Sequence, residues 1–216
     1  MPPSMRRAMT KSSMFRLAGA ALLALATLGA PAAEQWSAGA AQAQPGARPG
    51  WDDLEHSHWI ADGRDDAPRK IYVFMDANCK FCTKFWSDAR PWVDSGKVQL
   101  RHVMVAVIAP SSAGKAAAIM ADPDPAKRLF TYEQTHAFGV VRMMAGGPHH
   151  GFDDPNLQPL ATIPQPVGRL LADHDRMMQA FGIQGTPGVV FRESDGQLVA
   201  RPGLSPTELR RVLGPL

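Results

Sequence analysis

The two cysteines of this 216-residue chain, Cys79 and Cys82, are separated by only two residues in the segment DANCKFCTKFW. The segment before them, KIYVFMD, is nearly all apolar and predicts a β-strand that is buried on both faces. The segment after them, TKFWSDARPWVDSG, has apolar residues at helical spacing. The pair is therefore predicted to lie at the turn between a buried strand and the N-terminus of a helix.

The elements that follow define a fold class. A second apolar strand is predicted at residues 97–108, so that strand, helix and strand form a parallel βαβ unit. A mostly helical insertion follows at about residues 111–182, with a loop at 139–166. Two short strands then form a hairpin, and a final helix begins with a capping box at Ser205 and Glu208. This order predicts an α/β, thioredoxin-like fold with a helical insertion between the βαβ unit and the C-terminal hairpin.

The N-terminal region has the pattern of an export signal. Basic residues precede a short, alanine-rich apolar stretch at residues 17–30, and small-residue cleavage patterns follow. We therefore expect residues 1–43 to be a signal peptide and cleavage region, cut after Ala32 or Ala43, although a membrane anchor is the alternative. Residues 44–63 are predicted to be a linker and a short helix, and residues 64–216 the catalytic domain. This layout predicts that the mature protein is exported to a compartment where disulfides persist.

Export also changes the charge balance of the chain. Residues 1–43 contain four of the 23 basic residues and one of the 20 acidic residues, so cleavage after Ala43 leaves 19 of each. The basic character of the whole chain thus belongs to its export signal. The mature chain has no basic excess that would indicate nucleic-acid binding.

The cysteine pair could be a structural disulfide, a metal site or a reactive centre. A bridge between Cys79 and Cys82 closes a very small loop and would restrain little of the unfolded chain. At a helix N-terminus, unpaired N–H groups stabilise the thiolate, which is the reactive form of cysteine. We expect Cys79 to point outward and attack, and the more buried Cys82 to resolve the mixed disulfide. Lys80 is expected to lower the pKa of Cys79 further, and Phe81 to offer an apolar surface to a bound peptide.

A second candidate element is GIQGTPGVVF at residues 182–191. In thioredoxin-like folds the proline of such a loop is cis and faces the cysteine pair, so we predict a cis bond between Thr186 and Pro187. Both residues would then border the sulfur atoms and present backbone groups to an extended substrate. The alternative interpretation is an ordinary turn proline at the start of a strand.

Other residues with metal-binding chemistry are weaker candidates. His149 and His150 lie in the predicted loop, where adjacent histidines are usually solvated, and Met143 and Met144 lie in the same loop. His174 falls on the apolar face of a predicted helix and is expected at the edge of the core. We therefore predict no metal site, and no cofactor other than the redox-active disulfide Cys79–Cys82.

Three segments carry a resemblance to a known family. They are LEHSHWIADGRDDAPRKIYVFMDANCKFCTKFWSDARPWVDSGKVQLRHVMVAVIAP, DPAKRLFTYE and GTPGVVF. They resemble the catalytic domain of the DsbC/DsbG family of bacterial periplasmic thiol:disulfide interchange proteins, from Leu54 to the C-terminus and least at residues 139–166. The resemblance implies catalytic roles for Cys79 and Cys82. It also implies a cis-proline loop at Thr186 and Pro187, typical of the isomerase and reductase branch.

The chain departs from this family at two points. The family usually has Pro-Tyr between its cysteines, where this chain has Lys80 and Phe81. The family also has an N-terminal dimerisation domain, whereas only a short segment precedes residue 51 here. The first departure puts the redox potential in question, and the second leads us to expect a monomer.

Together these features predict a periplasmic thiol–disulfide oxidoreductase, a DsbG-like isomerase or reductase that acts through Cys79 and Cys82. Its expected substrates are protein or peptide thiols, disulfides and sulfenic acids, and its expected redox partner is a membrane protein of the DsbD or DsbB type. Three alternatives stay open at this point: a monomeric, DsbA-like oxidase, a periplasmic copper metallochaperone that uses the cysteine pair and a histidine, and a non-catalytic peptide-binding module.

Overall fold

The computed structural model describes residues 49–148, 151–152, 154 and 156–216. The signal peptide predicted at residues 1–43 lies outside these residues. Across the described part of the chain, no helix combines the length and the apolar character that a membrane span requires.

A five-stranded sheet forms the centre of the domain. Its strands are β1 (Ile60–Asp62), β2 (Arg69–Met75), β3 (Val98–Met104), β4 (Gly188–Arg192) and β5 (Leu198–Pro202). They are arranged in the order β1-β3-β2-β4-β5. Strands β2 and β3 are parallel and the other neighbouring pairs are antiparallel, which confirms the predicted βαβ unit and C-terminal hairpin.

Six helices accompany the described sheet. They are α1 (Trp51–Glu55), α2 (Lys80–Asp94), α3 (Ser112–Met120), α4 (Pro125–Met144), α5 (Gln165–Ala180) and α6 (Pro206–Leu213). Helix α2 joins β2 to β3, and α3 to α5 form the predicted helical insertion between β3 and β4. The capping box predicted for the last helix is present, because Ser205 and Glu208 exchange hydrogen bonds at the N-terminus of α6.

Strand β2 is buried on both faces, as its apolar sequence predicts. Ile71, Val73 and Met75 belong to the larger core cluster, to which α2 to α6 all contribute. Tyr72 and Phe74 point to the opposite face, in a smaller cluster with residues of α1 and α5. Because a strand alternates its side chains, a continuous apolar run requires a covering layer on each side.

The segment before β2 differs from the prediction. The short helix ends at Glu55, and Ile60–Asp62 form an edge strand that pairs antiparallel with β3. A strand of three residues is too short to show a recognisable alternation. Its last residue, Asp62, is held by contacts distant in sequence, from Arg90 and His102. The predicted linker at residues 44–63 therefore contains a strand of the sheet.

Two other predicted boundaries also change. Residues 139–144, predicted to be loop, are the last part of α4, so Met143 and Met144 are helical. The burial of Val140 in this part of α4 offsets the helix cost of about 1 kcal/mol for a glycine such as Gly139. Strand β3 ends at Met104 instead of residue 108, because the backbone N–H groups that follow bind a carboxylate instead of a neighbouring strand.

Candidate active site

Cys79 is the N-cap residue of α2, at the point where the chain leaves the central strand of the sheet. Its Sγ accepts a hydrogen bond from the backbone N–H of Cys82, at 3.1 Å from the nitrogen. Both cysteines are free thiols. An N-cap sulfur satisfies one of the unpaired N–H groups of the first turn, so the helix itself favours negative charge on Cys79.

Cys79 is buried, contrary to the prediction that it points outward. Only 3% of its surface is exposed, compared with 1% for Cys82. The Thr186 backbone carbonyl accepts a hydrogen bond from the Cys79 thiol at 3.3 Å. The loop before β4 therefore lies against the sulfur, a contact that spans 107 residues of sequence and has no local signal.

The loop at Thr186 and Pro187 faces the cysteines as predicted. The peptide bond between these two residues is cis, which confirms that prediction. Strand β4 starts at Gly188, directly after Pro187, and Gly188 pairs with Phe74 of β2. This pairing brings the loop to the end of β2 from which the cysteine turn leaves.

The surroundings of the two thiols affect their pKa values in opposite directions. The interaction with the Cys82 thiol is the largest influence on Cys79 and lowers its pKa. The Thr186 hydroxyl and the backbone N–H groups of Cys82 and Phe81 lower it as well, while burial opposes them. Burial is the largest influence on Cys82 and raises its pKa well above the ordinary value, and the Cys79 thiol adds to this. Cys79 is thus suited to be the thiolate nucleophile, and Cys82 stays protonated.

The two residues between the cysteines lie on the surface. Phe81 is 58% exposed and is available to a bound peptide, as expected. The Lys80 ammonium lies 5.3 Å from the centre of the Phe81 ring. The largest influences on the pKa of Cys79 do not include this ammonium, and the role predicted for Lys80 stays a prediction.

Replacing Lys80 by alanine should therefore leave the thiolate of Cys79 almost unchanged. We expect the pKa of Cys79 to move by less than about 0.3 unit, because exposed charges are strongly screened by water and salt. The pKa is measured from thiolate absorbance or from the pH dependence of alkylation. Lys97→Ala is the matched control, because Lys97 lies after the C-terminal end of α2, on the opposite end of the helix from the cysteines. A rise of a full unit in the pKa of Cys79 in Lys80→Ala alone would instead confirm the predicted role of the lysine.

Asp76, three residues before Cys79, organises the turn in a way that the sequence analysis missed. Its buried carboxylate accepts hydrogen bonds from the backbone N–H groups of Val107 and Ile108 at 2.7 and 2.9 Å. It also accepts hydrogen bonds from Asn78 N and the Ser112 hydroxyl, both at 2.8 Å. One carboxylate thus joins the ends of the two parallel strands to the start of α3.

Replacing Asp76 by alanine should destabilise the domain by about 2–4 kcal/mol, because several buried donors lose their acceptor together. Urea unfolding of the reduced protein measures this change. Asp88→Ala is a suitable control, because Asp88 forms a partly exposed ion pair with Lys84 that should contribute less than about 1 kcal/mol. Equal losses in the two variants would show that Asp76 does not organise the turn.

The helical insertion also contacts the cysteine turn directly. The Tyr132 hydroxyl of α4 donates a hydrogen bond to the Ala77 carbonyl at 2.5 Å. The Lys115 ammonium of α3 donates to the Asn78 side chain at 3.0 Å, and Asn78 in turn donates to Ser112. The residues immediately before Cys79 are therefore held by two helices that are distant in sequence.

The remaining candidates lie away from this turn or outside the described residues. His174 is buried, as predicted, and its Nδ1 lies 2.8 Å from the Met104 carbonyl. Its pKa falls to about 4, mainly because of burial. His149 and His150 lie outside the described residues. Within residues that the structure does describe, no cluster of three His, Cys, Asp or Glu side chains could hold a metal ion.

A helix-capping cysteine pair that faces a cis-proline loop, on a sheet of this order, defines a thioredoxin-like domain. Residues 62–214 match the family model described as a thioredoxin-like domain, and the chain belongs to this family. The catalytic domain of Proteus mirabilis ScsC has a similar fold, with a TM-score of 0.52 and 16% identity over 72% of this chain and 86% of that domain.

Within this family the chain is similar to the thiol:disulfide interchange protein DsbG. It is 41% identical to DsbG of Pseudomonas aeruginosa over 172 residues, and 39% identical to DsbG of Escherichia coli over 160 residues. The two matches cover 79% and 74% of this chain, and 61% and 58% of the relatives. The chain therefore spans about three fifths of the length of these curated relatives, and the resemblance to the DsbG type is confirmed.

Proposed function

We propose that the chain catalyses thiol–disulfide exchange in the periplasm, in the manner of a DsbG-like isomerase or reductase. The observation that carries this proposal is the position of the Cys79 sulfur. It caps α2, accepts the N–H of Cys82, and lies against the loop of Thr186 and Pro187. The lowered pKa of Cys79 and the raised pKa of Cys82 divide the pair into an attacking and a resolving thiol.

In the first step, the Cys79 thiolate attacks one sulfur of a substrate disulfide. A bond forms between Cys79 and that sulfur, and the other substrate sulfur leaves as a thiolate and takes up a proton. Cys82 then loses its proton and attacks the Cys79 sulfur, which releases the substrate as a thiol and leaves the disulfide Cys79–Cys82. A sulfenic acid would react in the same way, with water as the leaving group once its oxygen is protonated.

The residues around the sulfur suit an extended polypeptide. Thr186 and Pro187 provide backbone groups at the start of a strand, where a peptide can add alongside. Phe81 provides an exposed aromatic surface next to Cys79. We therefore propose that Thr186, Pro187 and Phe81 bind the substrate on either side of the reacting sulfur.

The redox partner and the assembly of the chain belong to the same proposal. A membrane partner of the DsbD type would keep Cys79 and Cys82 reduced, and a partner of the DsbB type would keep them oxidised. The expected monomer is tested by sedimentation at micromolar concentration, where a stable dimer would contradict it. Trapping the pair with an alkylating agent in intact cells would show which redox state predominates, and thus distinguish a reductase from an oxidase.

Exchange with a fluorescent peptide disulfide tests the proposed activity. The reduced protein should cleave the peptide catalytically in the presence of glutathione, and alkylation of Cys79 should stop the reaction. A peptide-binding module would keep its affinity after alkylation and show no cleavage. Tight Cu(I) binding without cleavage would favour the metallochaperone instead.

A further inference from the structure

Glu133 of α4 is a buried acid with no role in the mechanism described above. Its side chain is only 1% exposed, and neither carboxyl oxygen has a hydrogen-bond partner among the described residues. An ionised carboxylate in such a place is strongly disfavoured unless it is paired. A buried acid without partners is therefore an unusual group to find in a packed core.

Glu133 faces the side of α2 that begins at the reactive cysteine. The Thr83 side chain interacts with the carboxyl and favours its charged form, although the two groups do not form a regular hydrogen bond. Thr83 lies four residues after Cys79, which places both on the same face of the helix. A negative charge on Cys79 accordingly acts on Glu133.

The other charged groups around Glu133 do not neutralise it. Arg90 of α2 favours its charged form, but this guanidinium is engaged by the Asp62 carboxylate and lies 4.2 Å from the Trp86 ring centre. Asp62 of β1, which also contacts His102, opposes the charged form. Burial is the largest influence, and together these effects raise the pKa of Glu133 from 4.5 to about 8.

Two neighbouring titratable residues of the insertion contact other groups. His136, one turn further along α4, lies 3.6 Å from the Asp154 carboxylate. The Lys115 ammonium of α3 donates to Asn78. The charge to which Glu133 is coupled at the active site is therefore that of the Cys79 thiolate.

We propose that Glu133 and Cys79 share a single negative charge, so that Glu133 takes up a proton when the cysteine pair is reduced and releases it when the pair is oxidised. This inference rests on the proposed exchange activity. In this proposal Glu133 is a positioning residue. It affects the charge of the Cys79 sulfur electrostatically and does not contact the substrate.

The proton balance of the reaction follows from this coupling. Reduction of the disulfide adds two electrons and leaves Cys79 as a thiolate and Cys82 as a thiol, which accounts for one proton. The new charge on Cys79 drives a second proton onto the Glu133 carboxylate. The couple thus takes up two protons for two electrons over the range in which Glu133 is ionised only in the oxidised form.

The pH dependence of the equilibrium with glutathione tests the proposal. While its thiols are protonated, glutathione also exchanges two protons for two electrons. If the protein couple exchanges two protons as well, the equilibrium constant between them does not depend on pH. In Glu133→Gln the protein couple takes up only one proton. The fraction of reduced protein should therefore rise as the pH rises. The equilibrium constant for reduction should increase about tenfold per pH unit between the measured pKa of Cys79 and about pH 8. In the wild type it should increase clearly less steeply.

The controls separate this inference from a general structural effect. Glu193→Gln removes a partly exposed carboxylate that pairs with Arg211 and should keep the shallow dependence of the wild type. Equal slopes in the wild type and Glu133→Gln would overturn the proposal. If no variant equilibrates with glutathione, the proposed function itself fails instead.

A second measurement needs no variant. The infrared difference spectrum between the reduced and oxidised wild type should show a protonated carboxyl group in the reduced form only. An unchanged carboxyl signal on reduction would overturn the proposal even if Glu133→Gln did not fold.

Discussion

Cys79→Ser should lower the rate of thiol–disulfide exchange by more than about 10³-fold, because the variant has no thiolate at the helix N-terminus. Cys82→Ser should behave differently. It keeps the nucleophile and loses the resolving thiol, so a mixed disulfide between Cys79 and the substrate should accumulate. The rate is measured with the fluorescent peptide disulfide, and the trapped species by mass spectrometry of the intact protein.

The two single variants control for each other, since both remove one buried sulfur from the same turn. A general loss of structure would therefore affect both in the same way. Attack through Cys82 would be shown by the opposite result, in which Cys79→Ser accumulates the mixed disulfide and Cys82→Ser is inert.

Glu133 should also give the reduced protein an unusual loss of stability as the pH rises. The pKa of this acid is about 8 in the folded protein and 4.5 ordinarily, so the folded state binds more protons between these values. The free energy of unfolding should therefore be unaffected by Glu133 below about pH 4.5, and should decrease as the pH rises towards 8. The pKa difference corresponds to about 3–5 kcal/mol.

Glu133→Gln isolates this effect, because glutamine has nearly the same shape and cannot ionise. We expect the stability of the variant to exceed that of the wild type by several kcal/mol at about pH 8.5, and to equal it within about 1 kcal/mol at pH 4.5. The buried His174 titrates in both proteins and does not act on Glu133, so its contribution cancels in the difference. Chemical denaturation at the two pH values measures it, and a difference that does not change with pH would contradict the raised pKa.

The parts of the fold that the sequence predicted are those with local signals. Each of these signals is contained in a few consecutive residues. They are the apolar run of β2, the cysteines directly after it and the proline before β4. The capping box at Ser205 and Glu208 is local in the same sense. These signals were sufficient to predict the thioredoxin-like order and the cis bond between Thr186 and Pro187.

The parts that were missed depend on contacts between distant segments. Strand β1 is too short to show a period. Asp76 and Glu133 have no distinctive sequence pattern. Asp76 matters because backbone N–H groups from a distant segment bind its carboxylate. Glu133 matters because its buried carboxyl has no hydrogen-bond partner among the described residues. The exposure of Cys79 was predicted from helix position alone, and the structure instead buries its sulfur. In the structure, the loop of Thr186 lies against the Cys79 sulfur. The Lys80 ammonium lies over the Phe81 ring.

The hydrogen bonds from Tyr132 and Lys115 to the residues before Cys79 have a consequence for protein engineering. Exchanging the two residues between the cysteines is the obvious way to change the redox behaviour of such a domain. Here Tyr132 and Lys115 of the helical insertion also form hydrogen bonds to the residues before the cysteines. Glu133 belongs to the same insertion. In a chimera that receives only residues 79–82, the charges that act on the cysteines would be those of the host protein. Active-site segment and insertion should therefore be transplanted together, as one unit.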